Sequence, residues 1–198
     1  MYKTLFQLLL LFTTLLQGAS MTENPKILAF GDSITFGYGA AASQSYPSYL
    51  EKLSNKRVIN AGIPGENSTE GLVRLRSLLK EESQIKTLIL CHGANDILHN
   101  ASMTRLRKNI KDMVELAKSK GLNVLLIGVV NFQSNNMQTL PLYQEIAKEE
   151  HISYNGTLLK TIESNPSLKS DAVHPNAKGY KIMAEKIYQE LQAAKYLK

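Results

Sequence analysis

Short apolar runs alternate with amphipathic helical patterns from Ile27 to Leu191, and no other feature narrows the fold as much. The runs are Ile27-Leu28-Ala29-Phe30, Arg57-Val58-Ile59-Asn60, Thr87 to Cys91 and Asn123 to Val130, with Ile152-Ser153-Tyr154 as a short edge strand. Between them the spacing predicts helices from Tyr46 to Leu53 around Pro47, Ser68 to Leu79, Met103 to Lys120, Pro141 to Glu150, and from Ala177 onward. Leu106, Ile110, Met113, Val114 and Ala117 recur at helical spacing, and Gly121 follows where a helix stop is expected. Apolar strands, each followed by a helix, are what a parallel sheet covered on both faces requires. The expectation is an α/β fold: one doubly wound domain with a mainly parallel, five-stranded sheet flanked by helices. Asn123 to Val130, the most apolar run, is placed at the sheet's centre.

The first twenty residues stand apart from this pattern. Lys3 supplies a positive start, Leu5 to Leu16 is apolar apart from Gln7, Thr13 and Thr14, and Gly18 and Ser20 put small residues before Met21. That is the layout of a secretory signal peptide, so residues 1–20 are read as a signal and 21–198 as the domain, in the periplasm or secreted. The apolar run falls short of the roughly 20 residues needed to span a bilayer. Cys91 is the one cysteine of the chain, which excludes an intramolecular disulfide. The net charge of +6 is spread along helices rather than gathered in a patch, which argues against a nucleic-acid partner. Transient contact with membrane lipid is compatible with that charge, and a monomer is expected. No histidine pair has ligand spacing, so neither a metal nor a cofactor is expected.

In parallel α/β sheets ligands bind outside the carboxyl ends of the strands. After the first strand comes Gly31-Asp32-Ser33-Ile34-Thr35, after the second Asn60-Ala61-Gly62-Ile63-Pro64-Gly65-Glu66-Asn67, and after the third Gly93-Ala94-Asn95-Asp96. Asp171-Ala172-Val173-His174-Pro175-Asn176 precedes the last helix. These clusters contain what acyl transfer needs. A serine hydroxyl must pass its proton to a base, the base needs an acceptor for its second N–H, and the tetrahedral intermediate needs donors aimed at its oxyanion. Ser33 lies on a Gly-led turn, and Asp171 is three residues from His174. Gly65 can bring a bare backbone N–H to a ligand, and Asn95 offers a side-chain amide. Each cluster alone also fits an ordinary turn, cap or loop; their order and placement together carry the argument.

The set resembles the SGNH (GDSL) hydrolase superfamily over nearly the whole chain beyond residue 20. GDSIT resembles its first block, NAGIPGEN its second, GAND its third and DAVHPNAKGY its fifth. The resemblance implies a flavodoxin-like sheet, with Ser33 as nucleophile, His174 as base and Asp171 as its carboxylate. It implies an oxyanion hole from the Ser33 and Gly65 backbone N–H groups and the Asn95 side chain. The stretches Tyr38-Gly39-Ala40, Tyr46-Pro47 and Ser68 to Leu79 are similar to the bacterial exported thioesterase, lysophospholipase and arylesterase branch. The segment from Ile97 to Ser102 then corresponds to that family's substrate lid, and Ile97, Leu98 and Phe132 are the expected substrate-binding residues.

A small-molecule ester or thioester is the expected substrate. Two other readings stand beside it: a carbohydrate O-acetylesterase with the same residues, and a binding protein that kept the fold without the chemistry. The five intact residues Ser33, Gly65, Asn95, Asp171 and His174 weigh against the last. Cys91, at a strand end, is expected to be a buried apolar residue rather than a second nucleophile. His92 is expected to pack or support, His99 and His151 to lie at the surface, and Asp32 to hold the turn under Ser33.

Overall fold

The computed structural model describes residues 25–134 and 137–197; the predicted signal segment lies outside the described residues. Five parallel strands form one sheet: β1 (Lys26–Gly31), β2 (Val58–Gly62), β3 (Ile85–Cys91), β4 (Asn123–Ile127) and β5 (Ser153–Asn155), in the order β2-β1-β3-β4-β5. Among the described residues, eight α-helices connect and cover them. They are α1 (Ser33–Phe36), α2 (Tyr46–Ser54), α3 (Ser68–Glu81), α4 (Ala94–Leu98), α5 (Met103–Ser119), α6 (Pro141–Glu150), α7 (Leu158–Glu163) and α8 (Ala177–Ala193). On one side α2 packs against α8 with α7 beside it; on the other α3 and α6 pack against α5.

The doubly wound expectation is met, with one correction. Asn123 to Val130 is not the central strand: β3 holds the centre and β4 lies next to the edge. Leu88, Ile89 and Leu90 of β3 are buried on both faces, as a central parallel strand must be. The fourth run reads as more apolar because Val129 and Val130 are buried as well, but they continue past the strand. At Gly128 the backbone N–H turns to the Asn155 carbonyl, and Val130 forms an isolated bridge with Thr139.

Side chains cap the starts of α1, α3, α5 and α8. Asn67 accepts from the N–H groups of Thr69 and Glu70, and Glu70 reaches back to the Asn67 N–H, closing a capping box at α3. Asn176 caps α8 through the N–H groups of Lys178 and Gly179. Gly121, at φ 73°, follows α5.

Strand order reverses between β1 and β3, and crevices in open α/β sheets form at that switch point. Register then levels the loops: Gly31 pairs with Gly62 on one side and with Cys91 on the other. Ser33, Gly65 and Asn95 all lie within four residues of that shared level.

Candidate active site

Ser33 is the first residue of α1, a single turn separated from β1 by Asp32 alone. Asp32 caps it, accepting from the Ile34 N–H at 3.2 Å. Asp32 is fully enclosed, and burial raises its pKa, an effect opposed by His92 and by the N–H groups of Ile34 and Ala94. Asp32 therefore ties the serine turn to the start of α4. This is the turn-holding role its position in the sequence suggests.

The Ser33 Oγ lies 2.9 Å from His174 Nε2, across 141 residues of chain. His174 Nδ1 lies 2.8 Å from Asp171 Oδ2 and 3.0 Å from Oδ1. Asp171 Oδ1 also accepts the backbone N–H groups of Val173 and His174, both at 2.8 Å. Burial would raise the Asp171 pKa, but these hydrogen bonds outweigh it and hold the carboxyl below its ordinary value. An ionised carboxylate only accepts, so Nδ1 carries the proton and Nε2 is left as acceptor for the serine O–H. The Tyr38 ring lies against His174, with centroids 4.5 Å apart and planes at 44°.

A second carboxylate sits beneath this turn. Glu163 has a wholly buried side chain, and burial raises its pKa against the pull of Lys169. Lys169 Nζ lies 2.9 Å from Glu163 Oε2 and donates to the Ala172 carbonyl at 2.6 Å, between the acid and the base. The Ser170 N–H donates to the His174 carbonyl at 2.9 Å, closing the turn.

On the other side of Ser33, Gly65 has φ 81°, and a side chain there would meet nothing within 4 Å. The left-handed backbone, not crowding, favours glycine at this position. Asn95 donates one amide N–H to the Glu66 carbonyl at 2.9 Å, which brings the second and third loops together. An amide has two N–H groups, and the second has no protein acceptor among the described residues.

Glu66 anchors this arrangement. Arg74 grips it with two hydrogen bonds of 2.7 and 2.5 Å and also reaches the Gly31 carbonyl at 3.3 Å. Fully buried His92 places Nε2 3.1 Å from the same carboxylate. Burial raises the Glu66 pKa, but Arg74 and then His92 overcome it and bring it to about 2. Phe30 lies beside both partners, 4.0 Å from the Arg74 guanidinium and 5.8 Å from the His92 ring. Asp96 fixes the other flank, accepting from the Ser68 N–H and hydroxyl at 2.7 Å each.

His92 thus supports the loop rather than facing Ser33. Cys91 is buried, its thiol pushed well above the usual range by burial. Of the three expected substrate contacts, Ile97 points into the core, Leu98 is exposed, and Phe132 is half-buried against the core. Ile97 and Leu98 belong to α4, so only His99 to Ser102 of the expected lid lies between helices. Next to Asn95 opens a cleft of about 400 Å³ lined by Asn67, Thr69, Glu70, Asp96, His99, Ala101 and Arg105. Nothing in the sequence assigns a role to Glu66, Arg74, Glu163 or Lys169. They are charged residues on loops and helices, and only their burial in space distinguishes them.

The sequence profile of the GDSL-like Lipase/Acylhydrolase family matches residues 29–182. The arylesterase of Vibrio mimicus is 28% identical over 183 residues, covering 87% of this chain and 91% of that protein. The Escherichia coli K12 protein named thioesterase 1/protease 1/lysophospholipase L1 is 27% identical, covering 84% and 83%. The crystal structure of AlinE4, an SGNH-hydrolase family esterase, is 29% identical with a TM-score of 0.67, covering 88% and 96%. Relatives bearing esterase names are thus matched along most of both chains. The chain belongs to the GDSL-like lipase/acylhydrolase family, and it is a serine hydrolase acting on ester bonds.

Proposed function

We propose that Ser33 attacks the ester or thioester carbonyl and forms an acyl-serine intermediate that water then hydrolyses. His174 takes the serine proton and delivers it to the leaving group; Asp171 holds the imidazole in the tautomer this requires. The Ser33 and Gly65 N–H groups and the unused Asn95 N–H receive the oxyanion. The single observation behind this reading is the continuous chain Ser33 Oγ–His174 Nε2, His174 Nδ1–Asp171. Ser33→Ala is expected to lower kcat by roughly 10³-fold or more and to abolish covalent labelling by an organophosphonate. Labelling that persists in the variant places the nucleophile elsewhere.

Carbohydrate O-acetyl hydrolysis is the second reading, favoured by the polar lining of the cleft beside Asn95. A series of p-nitrophenyl esters of rising acyl length, assayed beside acetylated xylan, separates the two. The protein acts as a monomer on a small ester substrate, with membrane lipid as a transient contact. Export is part of the proposal, from Lys3, the Leu5 to Leu16 run and the small residues before Met21. Among the described residues no helix is long and apolar enough to cross a membrane. Mass spectrometry of the protein from its native host should give an N-terminus near Met21; a product that keeps Leu5 to Leu16 rules cleavage out.

A further inference from the structure

We propose that Phe36, Tyr38 and Ile63 form the subsite for the alcohol part of the substrate and select aryl or similarly broad apolar alcohols. The inference rests on His174 acting as the base proposed above. In the acylation step the Ser33 Oγ–carbon bond forms and the bond from that carbon to the alcohol oxygen breaks. The serine proton passes to His174 Nε2 and from there to the departing oxygen. The alcohol must therefore lie on the His174 side of the carbonyl, and whatever flanks that ring touches it.

Tyr38 flanks it, 4.5 Å from the imidazole by ring centroids, and is still 50% exposed. Phe36 is also 50% exposed and Ile63 43% exposed, large apolar side chains left in solvent on the segments that follow β1 and β2. Their backbones are close together: a Cβ at Gly62 would lie 2.0 Å from the Phe36 nitrogen, and Asn60 Nδ2 donates to the Phe36 carbonyl at 3.2 Å. They are also firmly held. The N–H groups of Phe36, Tyr38 and Ile63 donate to the carbonyls of Asp32, Ser33 and Gly31 at 3.0, 3.0 and 3.1 Å. The shelf is thus fixed to the strand end that presents the nucleophile. The cleft on the Asn95 side is lined mainly by polar and charged residues by contrast, which leaves the apolar side chains beside the base as cover for an apolar alcohol.

The test uses acetates that differ only in the alcohol, with the double variant Phe36→Ser/Ile63→Ser compared with the parent. The ratio of kcat/KM for 2-naphthyl acetate over ethyl acetate should fall about tenfold in the variant, the scale on which apolar pockets discriminate. Phe36→Trp, which keeps an apolar surface, should retain at least the parent ratio and guards against a folding artefact. An equal loss on both acetates overturns the proposal. So does a loss that grows from 2-naphthyl acetate to 2-naphthyl hexanoate, because the shelf would then hold the acyl group. If the parent hydrolyses neither acetate and Ser33 resists phosphonylation, the esterase reading fails along with it. If the parent hydrolyses both and the ratio does not move, the shelf alone fails.

Discussion

Asn95 has two amide N–H groups, and the fold uses one of them on the Glu66 carbonyl. That bond fixes the plane of the amide, so the remaining N–H is aimed before substrate arrives. A donor organised in this way stabilises charge that develops in the transition state and adds little to ground-state binding. Asn95→Ala should accordingly lower kcat by about 10²–10³-fold and leave KM nearly unchanged, measured by steady-state kinetics on one p-nitrophenyl ester. A rise in KM with kcat retained would make Asn95 a binding residue instead. The candidate residue was legible in the sequence because it stands in GAND after an apolar strand. Its partner was not legible, since a backbone carbonyl leaves no mark on a sequence.

Among the elements, the ones that hold the site come from three separate parts of the chain. Glu66 lies in the loop after β2, Arg74 on α3, and His92 at the end of β3. Glu66 has its pKa lowered from 4.5 to about 2, so its contribution to stability is complete above about pH 4.5 and disappears as the pH falls through about 2. The shift corresponds to about 3 kcal/mol. Glu66→Gln should therefore lower stability at neutral pH and flatten the loss of stability between pH 4.5 and 2, read from urea midpoints across that range. The long helices were readable from apolar spacing, and the span from Pro141 to Glu150 agrees to the residue. α1, α4 and α7 have four, five and six residues, too few for a 3.6-residue period to show. Two of these short helices carry Ser33 and Asn95. The missed elements therefore lie at the site itself.

At the scale of the whole molecule, stability comes from the sheet and the two helical layers rather than from surface charge. Leu88 is wholly buried on the central strand, and Leu88→Ala should cost about 2–5 kcal/mol. Lys111 joins Glu115, Glu149 and Glu150 across α5 and α6, but Lys111, Glu115 and Glu149 remain in contact with solvent and such surface pairs contribute little. Lys111→Ala should leave the urea midpoint almost unmoved beside the Leu88 variant, and comparable shifts would contradict this view.

From the sequence alone one can derive the α/β class, the two-sided burial of the sheet, and the residues able to run acyl transfer. Periodicity and residue chemistry are local properties, written in neighbouring letters. Strand order is not local: β4 looks central by composition, and only packing against both helical layers puts β3 there. The proposed shelf of Phe36, Tyr38 and Ile63 and the Glu66–Arg74–His92 anchor likewise join distant segments. They exist because register sets three strand ends at one level, which tertiary pairing decides and no single stretch of sequence states.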